Sequence, residues 1–332
     1  MVPVVSSASY DAARRRAAFI DRSDRGRIVV SGKDRASYLQ GLLTNDIAAL
    51  KPGEGCYAAY LTAQGRMIAD LWVYELGDII LLMMSGEVKD VVLAKLDQFI
   101  FGEDVQLGDV TATYAQIGVI GPRAATALSE LLQAVPASVL TSLHDHGNLR
   151  AAFDGGSVIV TRIVDSGEPG FDVYLERERA GALLAALERM DVAPLDEPTA
   201  EAIRVEAGVP RFHRDMDEET IPLEAGIESR AISMTKGCYV GQEVIVRVLH
   251  RGHGRVVRKL VGVTFDPEAP LPAPGAIVRA SDRDAGHVTS ACLSPGLQRP
   301  IAMAYVHRDF VEPGTRVSVG GASGAVSPLP FL

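Results

Sequence analysis

The chain has 332 residues, 47% hydrophobic and 23% charged, which excludes disordered, collagenous and low-complexity classes and is too long for one small core. Its 33 Lys and Arg stand against 42 Asp and Glu, a formal charge of −9, so general binding of nucleic-acid phosphates is excluded and any polyanion site must be a local patch. Cysteines at 56, 238 and 292 form no C-x-x-C pair, which excludes a disulfide framework and a sequence-local zinc or iron–sulfur site. The opening residues lack the unbroken apolar stretch of a signal peptide, and the longest apolar run, Ile79 to Met84, falls far short of the ~20 residues a bilayer requires. A cytoplasmic protein with no membrane contact and no direct nucleic-acid contact is expected.

In chain order, Arg27 to Val30 reads as a strand, Ser31 to Asp34 as a turn and cap, and Arg35 to Gly41 as a helix whose Tyr38, Leu39 and Leu42 share one face. Tyr57 to Leu61 and Met67 to Tyr74 are β-rich runs joined by Thr62-Ala-Gln-Gly65, the spacing of an antiparallel hairpin. A strand-then-helix pattern occurs twice, as Asp78 to Met84 with Val88 to Phe99, and as Phe171 to Leu175 with Arg179 to Met190. Two related α+β subdomains within residues 1–254, divided near 110–120, account for it. After residue 265 come nine of the 18 prolines, interleaved with short β-rich runs at Arg258–Phe265, Ala276–Arg279, Gly286–Cys292 and Ile301–Val306. That alternation predicts a C-terminal antiparallel β-barrel over 255–332.

No G-x-G-x-x-G, P-loop, G-x-S-x-G or H-E-x-x-H motif is present, so the common nucleotide, hydrolase and zincin chemistries are set aside. His144-Asp-His146 and His250-Arg-Gly-His253 are close pairs without a third ligand nearby in sequence, and no metal is predicted. The densest stretch is Lys236-Gly-Cys-Tyr-Val-Gly-Gln-Glu243, where two glycines bracket a thiol and a phenol. From 236 to 259 there are six Lys and Arg and one acid, a balance of +5 suited to a carboxylate- or phosphate-rich ligand, or to a solvated strand face. Basic neighbours, Lys236 among them, are the setting that makes the Cys238 thiolate available; burial as a small hydrophobe is the alternative. Glu206, flanked by Ile203, Val205 and Val209, is an acid in apolar surroundings. A flat heterocycle with adjacent N–H and NH2 donors, such as a pterin, satisfies such a carboxylate, and so does an ion pair with Arg204 or Arg211.

Taken together these stretches resemble the folate-binding YgfZ/GcvT superfamily over nearly the whole chain. The resemblance runs through Ser31-Gly-Lys-Asp34 to Asp46, Leu61-Thr-Ala-Gln-Gly-Arg-Met-Ile-Ala-Asp70, Arg204-Val-Glu-Ala-Gly208 and Ile221-Pro-Leu-Glu-Ala225, and the Lys236–Glu243 motif is that of the YgfZ branch. What the resemblance implies is tetrahydrofolate bound in a central channel between the α+β subdomains. Glu206 then looks like the acid that pairs with the pterin, with Tyr239, Gln242 and Arg247 as further folate contacts, while Cys238 and Lys236 form a working loop. On the pattern of that branch the expected function is assistance to iron–sulfur cluster assembly or repair in client enzymes, tRNA methylthiotransferases included, with client or assembly proteins as partners. The alternative is a tetrahydrofolate-dependent aminomethyltransferase or demethylase using Asp70. Ala69-Asp70 and Asp165-Ser-Gly-Glu168 depart from the paired acids and the Y-T-G-E segment of aminomethyltransferases.

Overall fold

The computed structural model describes residues 5–250 and 255–332, His250 by its backbone alone. The α+β halves and the antiparallel barrel are both present. The first half is an antiparallel sheet whose spatial order is Gly55–Leu61, Met67–Glu75, Ile80–Met84, Gly26–Ser31 and Gln106–Asp109. Ile28, Val30, Leu71, Val73 and Leu82 point from it to one core, closed by the helices Arg35–Leu42 and Lys89–Asp97. The other face of the sheet meets the second half through Tyr74, Leu81, Met83 and Tyr174. A strand buried on both faces needs no alternation, which is why Ile79 to Met84 reads as a continuous apolar run.

The second sheet runs Ala193–Pro194, Ala18–Asp21, Tyr114–Ile120, Gly170–Glu176, Gly156–Ile163 and Asn148–Phe153. Its helices, Ala124–Leu131 and Ala180–Arg189, bury Leu128, Leu183 and Leu187 against Ile117, Val119, Phe171 and Val173. The strand-then-helix unit therefore recurs, as Ile80–Met84 with Lys89–Asp97 and as Gly170–Glu176 with Ala180–Arg189. One strand crosses over: Ala18–Asp21 precedes the whole first sheet in sequence yet pairs antiparallel with Tyr114–Ile120 and parallel with Ala193–Pro194.

The segment after residue 194 joins these layers to the barrel. Asp196 caps the helix Glu197–Glu206 by accepting from Thr199 N–H at 2.9 Å, and Pro198 sits in its first turn. Thr199, Ala202, Ile203, Val205 and Glu206 form the buried face of that helix, packed on the helix Ser7–Arg15 and on barrel strand Arg283–Ser294. Six strands, Arg258–Phe265, Ile277–Ala280, Arg283–Ser294, Arg299–His307, Arg316–Val319 and Ala322–Ser327, close the barrel. Its interior is filled by small and branched side chains, among them Val263, Val278, Ala302, Ala304, Val306 and Val319.

Candidate active site

A cavity of about 460 Å3 opens between the two halves and the start of the 209–215 loop, within the size of small-molecule sites. Asp70, Trp72, Arg25, Asp165, Arg211 and Phe212 line it, with Ile20, Ile120, Leu195 and Ile203 as its apolar wall. Asp70 is only 4% exposed and reaches the cavity from the middle of strand Met67–Glu75. On the neighbouring strand Tyr57 lies opposite Trp72, so Tyr57, Trp72 and Asp70 share one face of the hairpin. The Tyr57 hydroxyl donates to Asp70 Oδ2 at 2.8 Å, the one side-chain partner of that carboxylate among the described residues. Burial pushes the Asp70 pKa above its ordinary value, and the Tyr57 hydrogen bond only partly opposes it.

The other charges are arranged differently. Arg22 Nη1 meets Asp165 Oδ2 at 3.0 Å and Asp172 Oδ1 at 3.4 Å, and Arg25 Nη2 meets Asp165 Oδ2 at 3.3 Å. Burial pushes the Asp165 carboxyl up, but the two guanidinium groups outweigh it and hold it down at about 2. Arg25 also lies over the Trp72 ring, 5.8 Å from its centre. The cavity thus offers a fixed anion at Asp165, a titratable acid at Asp70 and an aromatic face between them.

Glu206 does not line this cavity; it is sealed elsewhere. Its Oε2 accepts from Arg14 Nη2 at 2.5 Å and Tyr10 Oη at 2.8 Å, and its Oε1 accepts from Ser294 Oγ at 2.5 Å and Gly296 N–H at 3.0 Å. The ion pair expected with Arg204 or Arg211 is made with Arg14 instead, 192 positions away. A buried acid at the C-terminal end of a helix faces the negative end of the dipole, and these four donors are what make its charge tolerable. Both carboxylate oxygens are already occupied, which leaves no side of Glu206 for a pterin edge.

The Lys236–Glu243 loop lies apart from the cavity as well. Lys236 Nζ donates to the carbonyl oxygens of Gln40, Leu43 and Asn45 at 2.7, 2.6 and 2.8 Å. Burial pulls its pKa down to about 8, so it remains an ammonium at neutral pH and serves as an anchor. Tyr239 is buried in the first core beneath that ammonium, 5.2 Å from ring centre to Nζ, where desolvation pushes the phenol up to about 12. Gly241 has φ +85°, and a Cβ there would stand 2.5 Å from the Thr62 carbonyl oxygen, so the second glycine lets the loop seat on the hairpin turn. Gln242 begins the helix Gln242–His250, whose surface carries Arg247 paired with Glu243 at 2.8 Å. Cys238 is exposed. Of the expected +5 patch, Lys236 is capped, Arg247 is paired and Arg258 bonds Glu224 through Nε at 3.2 Å, while Arg251 lies outside the described residues.

Among the described residues no group of three His, Cys, Asp or Glu is placed to hold a metal. His146 is half-buried, and His253 lies outside the described residues. No helix among them is long and apolar enough to cross a membrane. Sequence reasoning missed Tyr57, Trp72, Arg22 and Arg25. The single tryptophan of the chain, alternating with Asp70 on one strand, is the signal that points to this wall.

Two mixed α/β halves closed by a six-stranded antiparallel barrel define the fold of the glycine cleavage T-protein. The GCVT N-terminal domain matches residues 4–236, and the glycine cleavage T-protein C-terminal barrel domain matches residues 258–331. The chain belongs to this family, whose members bind tetrahydrofolate. The aminomethyltransferase of Rubrobacter xylanophilus is 32% identical over 98% of the chain and 85% of its own length. That of Chlorobium chlorochromatii is 31% identical over 98% of the chain and 89% of its own length. The crystal structure of the glycine cleavage system aminomethyltransferase T from Bartonella henselae superimposes with a TM-score of 0.88 at 24% identity, covering 100% of this chain and 91% of that one, and shares the fold.

These relatives correct the expected function. Proteins matched along almost their entire length at about 30% identity are aminomethyltransferases, which overturns the reading as an iron–sulfur assembly or repair factor and removes its client proteins as expected partners.

Proposed function

We propose that this protein is a tetrahydrofolate-dependent one-carbon transferase of the aminomethyltransferase or demethylase type, with Asp70 as the acid that positions the folate and handles its proton. The observation that supports this most is a buried carboxylate with a single side-chain partner on the floor of a cavity between the two halves. Tetrahydrofolate supplies a nucleophilic ring nitrogen that takes up the one-carbon unit. The residues present suit such a ligand: Asp70 accepts from N–H donors, Trp72 and Phe212 offer flat apolar contact, and Arg25 and Arg211 carry positive charge into the cavity for carboxylates. Burial of Asp70 pushes its pKa above the ordinary carboxylate value, the direction that favours taking up a proton.

Within the family, the Lys236–Glu243 motif is our ground for placing the chain on the YgfZ branch, a statement of descent and not of activity. We place its work in the cytoplasm, in keeping with three cysteines that are all free thiols.

The test is Asp70→Asn, a nearly isosteric change that cannot take up a proton. Tetrahydrofolate-dependent transfer from an aminomethyl or N-methyl donor is expected to fall by roughly 10²-fold or more while tetrahydrofolate still binds. Wild-type turnover in that variant, or a wild-type chain that fails to bind tetrahydrofolate, overturns the proposal.

A further inference from the structure

A second cavity, of about 360 Å3, lies between the 213–217 loop and the outer face of the barrel. Its barrel wall is formed on three adjacent strands by Arg258, Tyr305, His287 and Thr289. His287 and Tyr305 are register partners with ring centres 5.8 Å apart, and the Arg258 guanidinium sits 4.6 Å above the centre of the Tyr305 ring. Ala304 and Val306 fill the barrel interior, so Tyr305 between them faces outward into the cavity wall.

Tyr305 is 3% exposed, yet its hydroxyl meets the geometry of a hydrogen bond with no partner among the described residues. The neighbouring Thr220 hydroxyl is engaged with Asp217, donating to its Oδ1 at 2.7 Å and accepting from its N–H at 3.2 Å. Arg258 commits only Nε, to Glu224 at 3.2 Å, leaving both terminal NH2 groups without an acceptor among the described residues. The acids of the cavity are occupied. Asp215 receives Arg204 at 2.7 Å, Thr289 at 2.5 Å and Arg211 N–H at 3.1 Å, and Asp217 receives Thr220 together with Glu219 N–H at 3.0 Å. His213 is held between Glu87 and Glu218, at 2.9 and 3.0 Å. What the cavity has left over is donors: one buried phenol and a half-used guanidinium, with His287 beside them. A buried donor without a partner is costly, and a planar anion with two acceptor oxygens is the chemistry that satisfies a phenol and a guanidinium together.

We infer that this cavity binds a carboxylate, held by the terminal nitrogens of Arg258 and the hydroxyl of Tyr305. The site is distinct from the Asp70 cavity and stands independently of the proposed reaction. The two share a wall, since Arg211 and Phe212 line the first and His213 to Asp217 line the second. A free dicarboxylate and the glutamyl chain of a folate passing around that wall are two sources of the same group.

The experiment is calorimetric titration of the full chain, and of Arg258→Gln and Tyr305→Phe, with glutarate and with mono- and triglutamyl tetrahydrofolate. Tyr305→Phe keeps the ring and the packing, so it carries the test should Arg258→Gln fold poorly. Glutarate is expected to bind the wild type, about tenfold or more weaker in Arg258→Gln and several-fold weaker in Tyr305→Phe, with monoglutamyl tetrahydrofolate unaffected by either. Tighter binding of the triglutamyl form that disappears in Arg258→Gln identifies the folate chain as the source; equal binding of the two folates with glutarate retained identifies a separate carboxylate. A wild type that binds neither glutarate nor the triglutamyl form preferentially, or glutarate binding that both variants leave unchanged, overturns the inference. Failure of monoglutamyl tetrahydrofolate to bind counts against the proposed reaction alone, because the glutarate result is read without it.

Discussion

Asp70 and Glu206 are both buried carboxylates, and the difference between them is the number of donors each has met. Glu206 has four and is finished as a chemical group; Asp70 has one side-chain donor and a cavity in front of it. Glu206→Gln puts an amide among donors that require an acceptor and takes from Arg14 the fully buried one of its two carboxylate partners, leaving Glu168 at 3.0 Å. A loss of about 3–5 kcal/mol is expected, read as a lower urea midpoint or melting temperature, while tetrahydrofolate affinity stays within about twofold because the residue is off the cavity wall. Tyr57→Phe removes the hydrogen bond that favours ionised Asp70, so the Asp70 pKa rises further and the acid limb of the rate profile moves to higher pH. A purely structural role for Tyr57 would lower stability without moving that limb.

At the scale of elements, what the sequence discloses depends on how far apart the partners lie. The hairpin over Tyr57–Tyr74 and the helix after Asp34 follow from local periodicity, as does the row of barrel strands. The burial of Glu206 is also legible, because Ile203 and Val205 announce it. Its partner is not: Arg14 belongs to the first helix and reaches Glu206 only when the segment after residue 194 folds back over it. The Lys236–Glu243 motif shows the same limit in reverse. Its glycines and lysine mark a specified conformation, but composition does not say whether a loop is shaped to hold a ligand or to hold itself. Here Lys236 ties down the turn after the helix Arg35–Leu42, and Gly241 seats the loop on the hairpin. Gly241→Ala forces a Cβ against the Thr62 carbonyl from a left-handed backbone, and a loss of about 1–3 kcal/mol is expected in thermal melting. Cys238→Ser, at an exposed position, is expected to stay within about 0.5 kcal/mol of the wild type in the same measurement.

Across the whole molecule, a chain of charges stitches the two halves together: Arg27 to Gln116 at 3.2 Å, Gln116 to Asp172 at 2.7 Å, then Arg22, Asp165 and Arg25. Asp165 is held at about 2 in the folded protein, below the ~3.9 of an unfolded aspartate. Its contribution is therefore complete above about pH 4 and is lost as the pH falls through 2. Near-ultraviolet dichroism of Trp72, which Arg25 covers, is expected to change within that acid window, and the change should move to higher pH in Arg25→Gln, where one of the two cations that hold Asp165 down is gone. The crossed-over strand Ala18–Asp21 has a consequence for biosynthesis. Its antiparallel neighbour is not made until residue 120, roughly 5–20 s later at ordinary ribosomal speeds. During that interval the first sheet can close on its own, while this four-residue strand, made before it, still has no sheet to join.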